Sequence, residues 1–168
     1  MRTLPLVCLA AAGLVGIAAV PAHADLSNAD RSFIEQAASI GMAEVQTAQL
    51  AQQRSNSAQV KQFANRIIAD HTQANVELLQ LAQDQDMTLP EQPSGKDTSS
   101  YRRLLGLNGA SFDQAYAQAQ VSEQQQNVAL FRKEAQSGQD PAVKSFAQKT
   151  LPLLVQHLQL AQSLNRSQ

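Results

Sequence analysis

The stretch AQVKQFANRIIADHTQANVELLQLAQDQ, residues 58–85, decides the fold class because it is amphipathic with a helical period throughout. Its apolar positions recur three or four residues apart, which is the spacing of one face of an α-helix. That face consists of Val60, Phe63, Ile67, His71, Ala74, Leu78 and Leu81. A long helix with one apolar face must bury that face against other helices, so the stretch indicates a helical bundle.

Three further segments have the same period, and with residues 58–85 they predict four long helices. The first covers residues 28–54 and is separated from the second by Ser55-Asn56-Ser57. The third begins at Ser111, where Gln114 completes a capping box, and ends at Ser137-Gly138 with the glycine in a left-handed cap. Nowhere in the sequence does a run of alternating apolar and polar residues predict a strand. The fold class is therefore all-α.

The fourth long helix has the clearest beginning and one irregular position. Asp140 is a preferred N-cap, and Pro141 is suited to the first turn. Pro152 falls inside the helix, where it removes a backbone donor and clashes with the preceding turn. We expect a kink or break near residues 149–151. The predicted apolar face comprises Val143, Phe146, Thr150, Leu153, His157, Leu160 and Leu164.

The connections between the helices predict the topology. The first and last pairs of helices are joined by short turns, whereas the polar segment at about residues 87–110 is a long crossover in which residues 101–105 form a short helix. The sequence VKQFA at residues 60–64 is echoed by VKSFA at residues 143–147. Two helical hairpins joined by a long crossover form a ferritin-like four-helix bundle.

The N-terminal segment has the features of a cleavable signal peptide. Arg2 is followed by a charge-free apolar run, and Ala22-His23-Ala24 provides the small residues of a cleavage site. We predict a signal peptide over residues 1–24, cleavage after Ala24, and a periplasmic or secreted domain over residues 25–168 with no transmembrane span. The sole cysteine, Cys8, leaves with the signal, which excludes thiol catalysis and thiolate metal sites.

Charge and motif content exclude several functions for the mature chain. After removal of residues 1–24 it has 12 basic and 14 acidic side chains and no basic stripe. We therefore expect no nucleic-acid binding. We also expect no enzyme, since no complete catalytic constellation occurs in the sequence. The charge pattern does not indicate an oligomeric state.

One polar residue lies near the middle of each predicted apolar face, namely Glu44, His71, Gln124 and His157. With a rise of about 1.5 Å per residue, the four positions approach one level of the bundle. We call this set the polar layer. Burying such groups costs free energy unless they find partners. The polar layer is therefore where the sequence places a functional site.

Two interpretations of the polar layer follow from the sequence. In the first, its residues hydrogen-bond to one another, to neighbouring polar groups and to a trapped water. In the second, Glu44, His71 and His157 bind a metal ion, with zinc, iron and copper as candidates, or a small ligand. Gln124 is then a fourth ligand or a group that supports one. A di-iron centre is not expected, because Ile68 and Leu154 stand where Glu-x-x-His pairs need glutamate.

Several stretches resemble the bacterial secreted family known as domain of unknown function 4142. They are Gly41-Met42-Ala43-Glu44-Val45, Val60-Lys61-Gln62-Phe63-Ala64, Ile68-Ala69-Asp70-His71, Phe112-Asp113-Gln114-Ala115-Tyr116 and residues 151–158. The resemblance implies a ferritin-like fold and an envelope location, and it supplies no activity. Members of that family often have a histidine in the third helix, where this sequence has Gln124, which removes one metal ligand.

The sequence thus leaves three hypotheses for function. The first is a periplasmic bundle that holds a metal or small ligand in its polar layer and serves envelope stress physiology. The second is a structural or interaction module that presents its helix surfaces to an envelope partner and binds no ligand. The third is a degenerate ferritin-like oxidoreductase. Bound metal favours the first hypothesis, and a stable partner without metal favours the second. Oxygen consumption with bound iron favours the third.

Overall fold

The structure, a computed structural model, describes residues 26–168. The predicted signal peptide, residues 1–24, lies outside the described residues. Across residues 26–168 the chain is helical and has no strand. The helices are α1 (Asn28–Arg54), α2 (Ala58–Asp84), α3 (Ser99–Leu104), α4 (Gly109–Ser137) and α5 (Pro141–Ser167).

Four long helices form an up-down-down-up bundle. Helices α1 and α2 pack as one hairpin and α4 and α5 as another, and the hairpins meet through the pairs α1/α4 and α2/α5. The crossover between α2 and α4 runs the length of the bundle, and its short helix α3 packs on α1 and α4. The predicted all-α bundle of two hairpins and a long crossover is confirmed.

Side-chain caps explain where three of the long helices begin. Ser27 Oγ accepts a hydrogen bond from the Asp30 amide, and Ser57 Oγ accepts one from the Val60 amide. At α5, Asp140 Oδ1 accepts from the amides of residues 142 and 143 at 2.9 Å each. Each cap satisfies amide groups that have no partner within the helix, which fixes the first turn.

The predicted end of α4 at Ser137 is confirmed, whereas its predicted start and the predicted conformation of Gly138 were wrong. The helix begins at Gly109, two residues before Ser111, and Ser111 Oγ donates to the Asn108 carbonyl instead of capping the helix. Gly138 has φ −55° and is not left-handed. Its lack of a side chain matters for another reason: a Cβ there would lie 2.5 Å from Glu134 Oε1 and 2.8 Å from the Glu134 carbonyl.

Helix α5 runs without a break through Pro152, so the predicted break was wrong, while the alternative of a kink stays a prediction. Pro152 is exposed, and its ring faces away from the bundle. The buried face after the proline also differs from the prediction, since Leu154 and Ala161 are buried whereas Leu153 is half-buried and Leu160 is 40% exposed. The buried positions follow a regular seven-residue repeat, and this keeps α5 against its neighbours along its length.

The core consists of two apolar clusters at opposite ends of the bundle. The cluster near the start of α1 is built around Phe33, Phe131 and Phe146, whose rings contact one another. The cluster at the other end contains Phe112 and Tyr116, which stack. The residues of the polar layer occupy the middle of the helices, between these clusters. The fold thus holds a polar level inside an otherwise apolar bundle.

Candidate functional site

The structure buries all four residues of the polar layer but divides them into two groups. Glu44, Gln124 and His157 are 3%, 0% and 0% exposed, and His71 is 6% exposed. Glu44 and Gln124 join helices α1 and α4, whereas His71 and His157 face each other across α2 and α5. The prediction that these positions are buried is confirmed, while Glu44 does not join the two histidines in one ligand set.

Three amide side chains of α4 surround the Glu44 carboxyl group. Gln124 Nε2 and Asn127 Nδ2 both donate to Glu44 Oε1 at 3.0 Å, and Gln120 Nε2 donates to Glu44 Oε2 at 3.0 Å. We call these four residues the amide cluster. Burial, together with the nearby charge of Glu123, raises the pKa of Glu44 to about 8 against the opposing effect of the amide donors.

The sequence interpretation missed Gln120 as a partner of Glu44. Gln120, Gln124 and Asn127 are four and three residues apart, so they lie on one face of α4, and this spacing was a usable signal. Gln120 Nε2 also donates to Glu123 Oε2 at 2.8 Å. One amide therefore links a fully buried carboxyl group to a second one nearer the surface.

His71 and His157 form the second group, which we call the histidine pair. Their ring centroids lie 5.5 Å apart with 34° between the planes. His157 Nε2 is 2.8 Å from Asp70 Oδ2, and Asp70 in turn pairs with Arg66 on the same helix. Asp70 points away from the ring of its neighbour His71, as expected for adjacent helical residues, and instead orients the histidine on the opposite helix.

Within the described chain, each ring of the histidine pair has one buried nitrogen without a hydrogen-bond partner. His71 Nε2 and His157 Nδ1 are buried and have no hydrogen-bond partner among residues 26–168. Burial lowers the pKa of His71 to about 3, with the charge of His157 adding to the effect. Burial also lowers the pKa of His157, against the opposing effect of Asp70. Both rings are therefore neutral at pH 7.

A small cavity of about 20 Å³ adjoins the histidine pair. Its polar lining comes from Asp70, His71, Asn75, Asn127, Thr150 and His157, and the rest is apolar. A space of this size holds about one water molecule or one ion. The cavity, which we call the histidine cavity, thus combines two neutral nitrogens with room for a single small ligand.

The predicted metal ligands can be compared with this geometry. Within residues 26–168 no group of three or more His, Cys, Asp or Glu side chains is arranged to hold a metal ion. The Glu44 carboxyl group already accepts hydrogen bonds from the three amides of the amide cluster, and Gln124 is one of these donors. Metal binding stays a prediction, and the residues brought together for it are His71 and His157 alone.

Comparison with known proteins agrees with the fold and the sequence resemblance. The chain belongs to the family described as Domain of unknown function (DUF4142), whose family model matches residues 16–164. No curated protein matches the chain significantly. The described helices include none that is long and apolar enough to cross a bilayer.

Two solved structures share the fold. A DUF305 fragment from Deinococcus radiodurans superposes with a TM-score of 0.75 at 12% identity, covering 85% of this chain and 99% of that chain. A DUF305 protein from Streptomyces coelicolor, described as a "putative secreted protein", superposes with a TM-score of 0.70 at 14% identity, covering 84% and 92%. At these identities the likeness establishes the fold and carries no activity.

Proposed function

We propose that the protein is a non-enzymatic, extracytoplasmic metal-binding bundle that holds one transition-metal ion between His71 Nε2 and His157 Nδ1. The observation that carries the proposal is that each buried ring has one nitrogen without a partner, beside a cavity of about 20 Å³. Leaving a buried polar atom without a partner costs about 1–3 kcal/mol. A bound ion removes that cost for both rings at once.

The separation of the rings supports a shared ion. With metal–nitrogen bonds of about 2.0–2.1 Å, two imidazoles on one ion place their ring centroids roughly 5–6.5 Å apart. The observed separation is 5.5 Å. The contact between Asp70 and His157 Nε2 supports the same role, since metal-binding histidines usually have their second nitrogen held by a carboxylate or carbonyl.

The donor set favours an ion that accepts neutral nitrogen ligands. Imidazole suits zinc, copper and iron, whereas magnesium and calcium prefer oxygen ligands. Two protein nitrogens leave the other coordination positions to water or to a small ligand. Within residues 26–168 no third side chain joins the two histidines to bind the ion. The role proposed for this site is metal binding in envelope stress physiology.

Secretion is the second part of the proposal. The signal-like segment before Asp25 and the solved relative described as a "putative secreted protein" support cleavage after Ala24 and a periplasmic or secreted location. Sequencing the N-terminus of the protein recovered from the periplasm tests this part. An N-terminus at Asp25 is the expected result, and a chain that still begins with residues 1–24 contradicts it.

Elemental mass spectrometry on the untagged mature protein tests the metal site. We expect about one equivalent of a transition metal, and loss of this metal in His71→Ala and in His157→Ala. Asp70→Asn should weaken binding about 10- to 100-fold because it removes the group that orients His157. The control is Gln159→Ala, an exposed change on α5.

Absence of metal, with no thermal shift on adding Zn²⁺, Cu²⁺ or Fe²⁺, would contradict the proposal. The cavity volume also suits one water that bridges the two free nitrogens. In that case the polar layer is a hydrogen-bonded structural core, and the protein is an interaction module for an envelope partner. Capture of such a partner by the metal-free protein supports this second candidate.

A further inference from the structure

A second, much larger space lies on the other side of the polar layer. Helices α1 and α4 leave between them a cleft of about 910 Å³ that extends under the crossover and α3. We call it the α1–α4 cleft. Glu44 lies at its inner wall, and Glu123 and Asp97 lie along it. The two helices here pack less closely than the partners within each hairpin.

The α1–α4 cleft and the histidine cavity share a wall. Ile40 and Asn127 line both spaces. Asn127 Nδ2 also donates to Glu44 Oε1 at 3.0 Å, which holds the asparagine side chain in place between them. One side-chain hydrogen bond is therefore part of the partition between the α1–α4 cleft and the two histidine nitrogens that have no partner in the described chain.

We propose that the α1–α4 cleft is the access route for the metal ion and that Glu44 and Asn127 form its inner gate. A cation passes from the cleft past the Glu44 carboxyl group and the displaced Asn127 amide to the histidine pair. The inference rests on the proposed metal site and names the path and the residues that control it.

Carboxyl groups along the cleft support passage of a cation. Four acidic side chains, Glu35, Glu44, Asp97 and Glu123, line it beside two basic ones, Lys96 and Arg103. Burial raises the pKa of Glu44 to about 8 and also raises the pKa of Glu123, so the cleft has no large excess of negative charge at pH 7. A transition-metal ion still accepts carboxyl oxygens as ligands, and its binding displaces the proton of a neutral carboxyl group.

The other side of the histidine cavity is less suited to a cation. There the cavity is lined by Asp70 and Leu153. Arg66 pairs with Asp70, and Lys149 pairs with Glu77 on the same α2/α5 side of the bundle. Both carboxylates on this side are therefore already paired with a basic side chain, and Leu153 gives the approaching ion no ligand.

Stopped-flow measurements with Cu²⁺ alone as the probe test the route. Glu44→Gln should slow association about tenfold and slow release to a chelator by the same factor, because an amide cannot exchange a proton for the passing ion as a carboxyl group does. Its equilibrium affinity should stay within about twofold, since Glu44 does not line the histidine cavity. Asn127 does line that cavity, so only the association rate of Asn127→Leu, about tenfold slower, tests the gate. Gln159→Leu is the same amide-to-apolar change at an exposed position of α5, and it should change neither rate.

Three outcomes overturn the inference. Slower uptake only in Leu153→Trp would place the route between α2 and α5. A changed affinity with unchanged association in Glu44→Gln would make Glu44 a ligand or a structural group and not a gate. Failure of the wild-type protein to bind Cu²⁺ would overturn the metal site as well, which separates the two failures. Circular dichroism confirms that each variant is folded, and the near-isosteric Glu44→Gln keeps the test valid if Asn127→Leu unfolds.

Discussion

Glu44 shows how one residue combines burial, hydrogen bonding and charge. Three amides donate to its carboxyl group, yet burial and Glu123 together raise its pKa to about 8. The unfolded chain ionises this group near its ordinary value, while the folded protein keeps it neutral until about pH 8. The folded state therefore loses stability as pH rises from about 4.5 to about 8.

Glu44→Gln should remove this pH dependence. The neutral amide has no charge to bury, and the neighbouring glutamine amides can turn to present their free oxygens to it. We expect the variant to be more stable than the wild type at pH 8–9 and to gain little at pH 4.5, as measured by urea denaturation. Glu91→Gln on the exposed crossover is the control. A constant difference across pH would contradict the prediction.

Asp30 is a residue whose role the sequence described only in part. Ser27 and Asp30 form the predicted cap of α1, but Asp30 also accepts from the backbone amides of Gln139 and Asp140 at 3.0 and 3.1 Å. Burial raises the pKa of Asp30, but the hydrogen bond from Gln139 and the others outweigh burial, so the net pKa is lowered. One carboxylate thus joins the start of α1 to the turn before α5.

Asp30→Ala should destabilise the protein by about 1–3 kcal/mol, because two amides of that turn lose their acceptor. Urea denaturation at pH 7 measures the loss, and Asp84→Ala, at an exposed position on α2, should cost much less. Equal losses in the two variants would show that the contact from Asp30 to the turn contributes no stability.

Pro152 determines how regular helix α5 is around its middle. A proline inside a helix removes one backbone hydrogen bond, yet α5 stays continuous because the ring lies on the exposed face. Pro152→Ala restores the donor and loses no buried contact, so we expect a gain of about 1–3 kcal/mol. Thermal and urea denaturation measure it. Unchanged or reduced stability would mean that α5 needs the proline to fit its neighbours.

The crossover is held to α1 by a small network of side chains. Ser39 Oγ donates to Asp97 Oδ2 at 2.5 Å and accepts from the Ser94 amide at 2.8 Å. Ser39→Ala should release this segment, which forms one side of the α1–α4 cleft. We expect faster amide hydrogen exchange over residues 94–104 and unchanged exchange in α5. Ser32→Ala, at an exposed position of α1, is the control. Unchanged exchange in the crossover would show that other contacts hold it.

The helices were predictable for reasons that act locally. Helical periodicity, caps such as Asp140 and breaks such as residues 55–57 lie within a few residues of the boundaries that they set. The burial of Leu154 and Ala161 instead of Leu153 and Leu160 was not predictable, because the sequence offers an apolar residue at both candidate positions. Only contact with the other helices selects the face that α5 buries.

At the scale of the whole molecule, the sequence predicted the residues of the polar layer but not its division. Each of the four positions was identified from one helix alone, and height along the bundle was the only relation available between helices. The pairs that form depend on which helices are neighbours. Asp70 contacts His157 because α2 packs on α5. Glu44 accepts a hydrogen bond from Gln120 because α1 packs on α4.

The arrangement of the bundle gives its two sides different roles. One side brings together two neutral imidazoles with a cavity the size of an ion, and the other holds a wide cleft whose lining includes four acidic side chains. Asn127 lies between them. The proposed binding site and its access route therefore depend on the packing of the two hairpins, and a chain that contained only one of them would form neither.

Anomalous diffraction from crystals of the mature protein loaded with one equivalent of Zn²⁺ tests the central claim most directly. The proposed metal site predicts a single strong peak about 2.0–2.1 Å from both His71 Nε2 and His157 Nδ1. Asp70 should still contact His157 Nε2. A histidine cavity without a peak, with zinc found only on surface carboxylates, would contradict it.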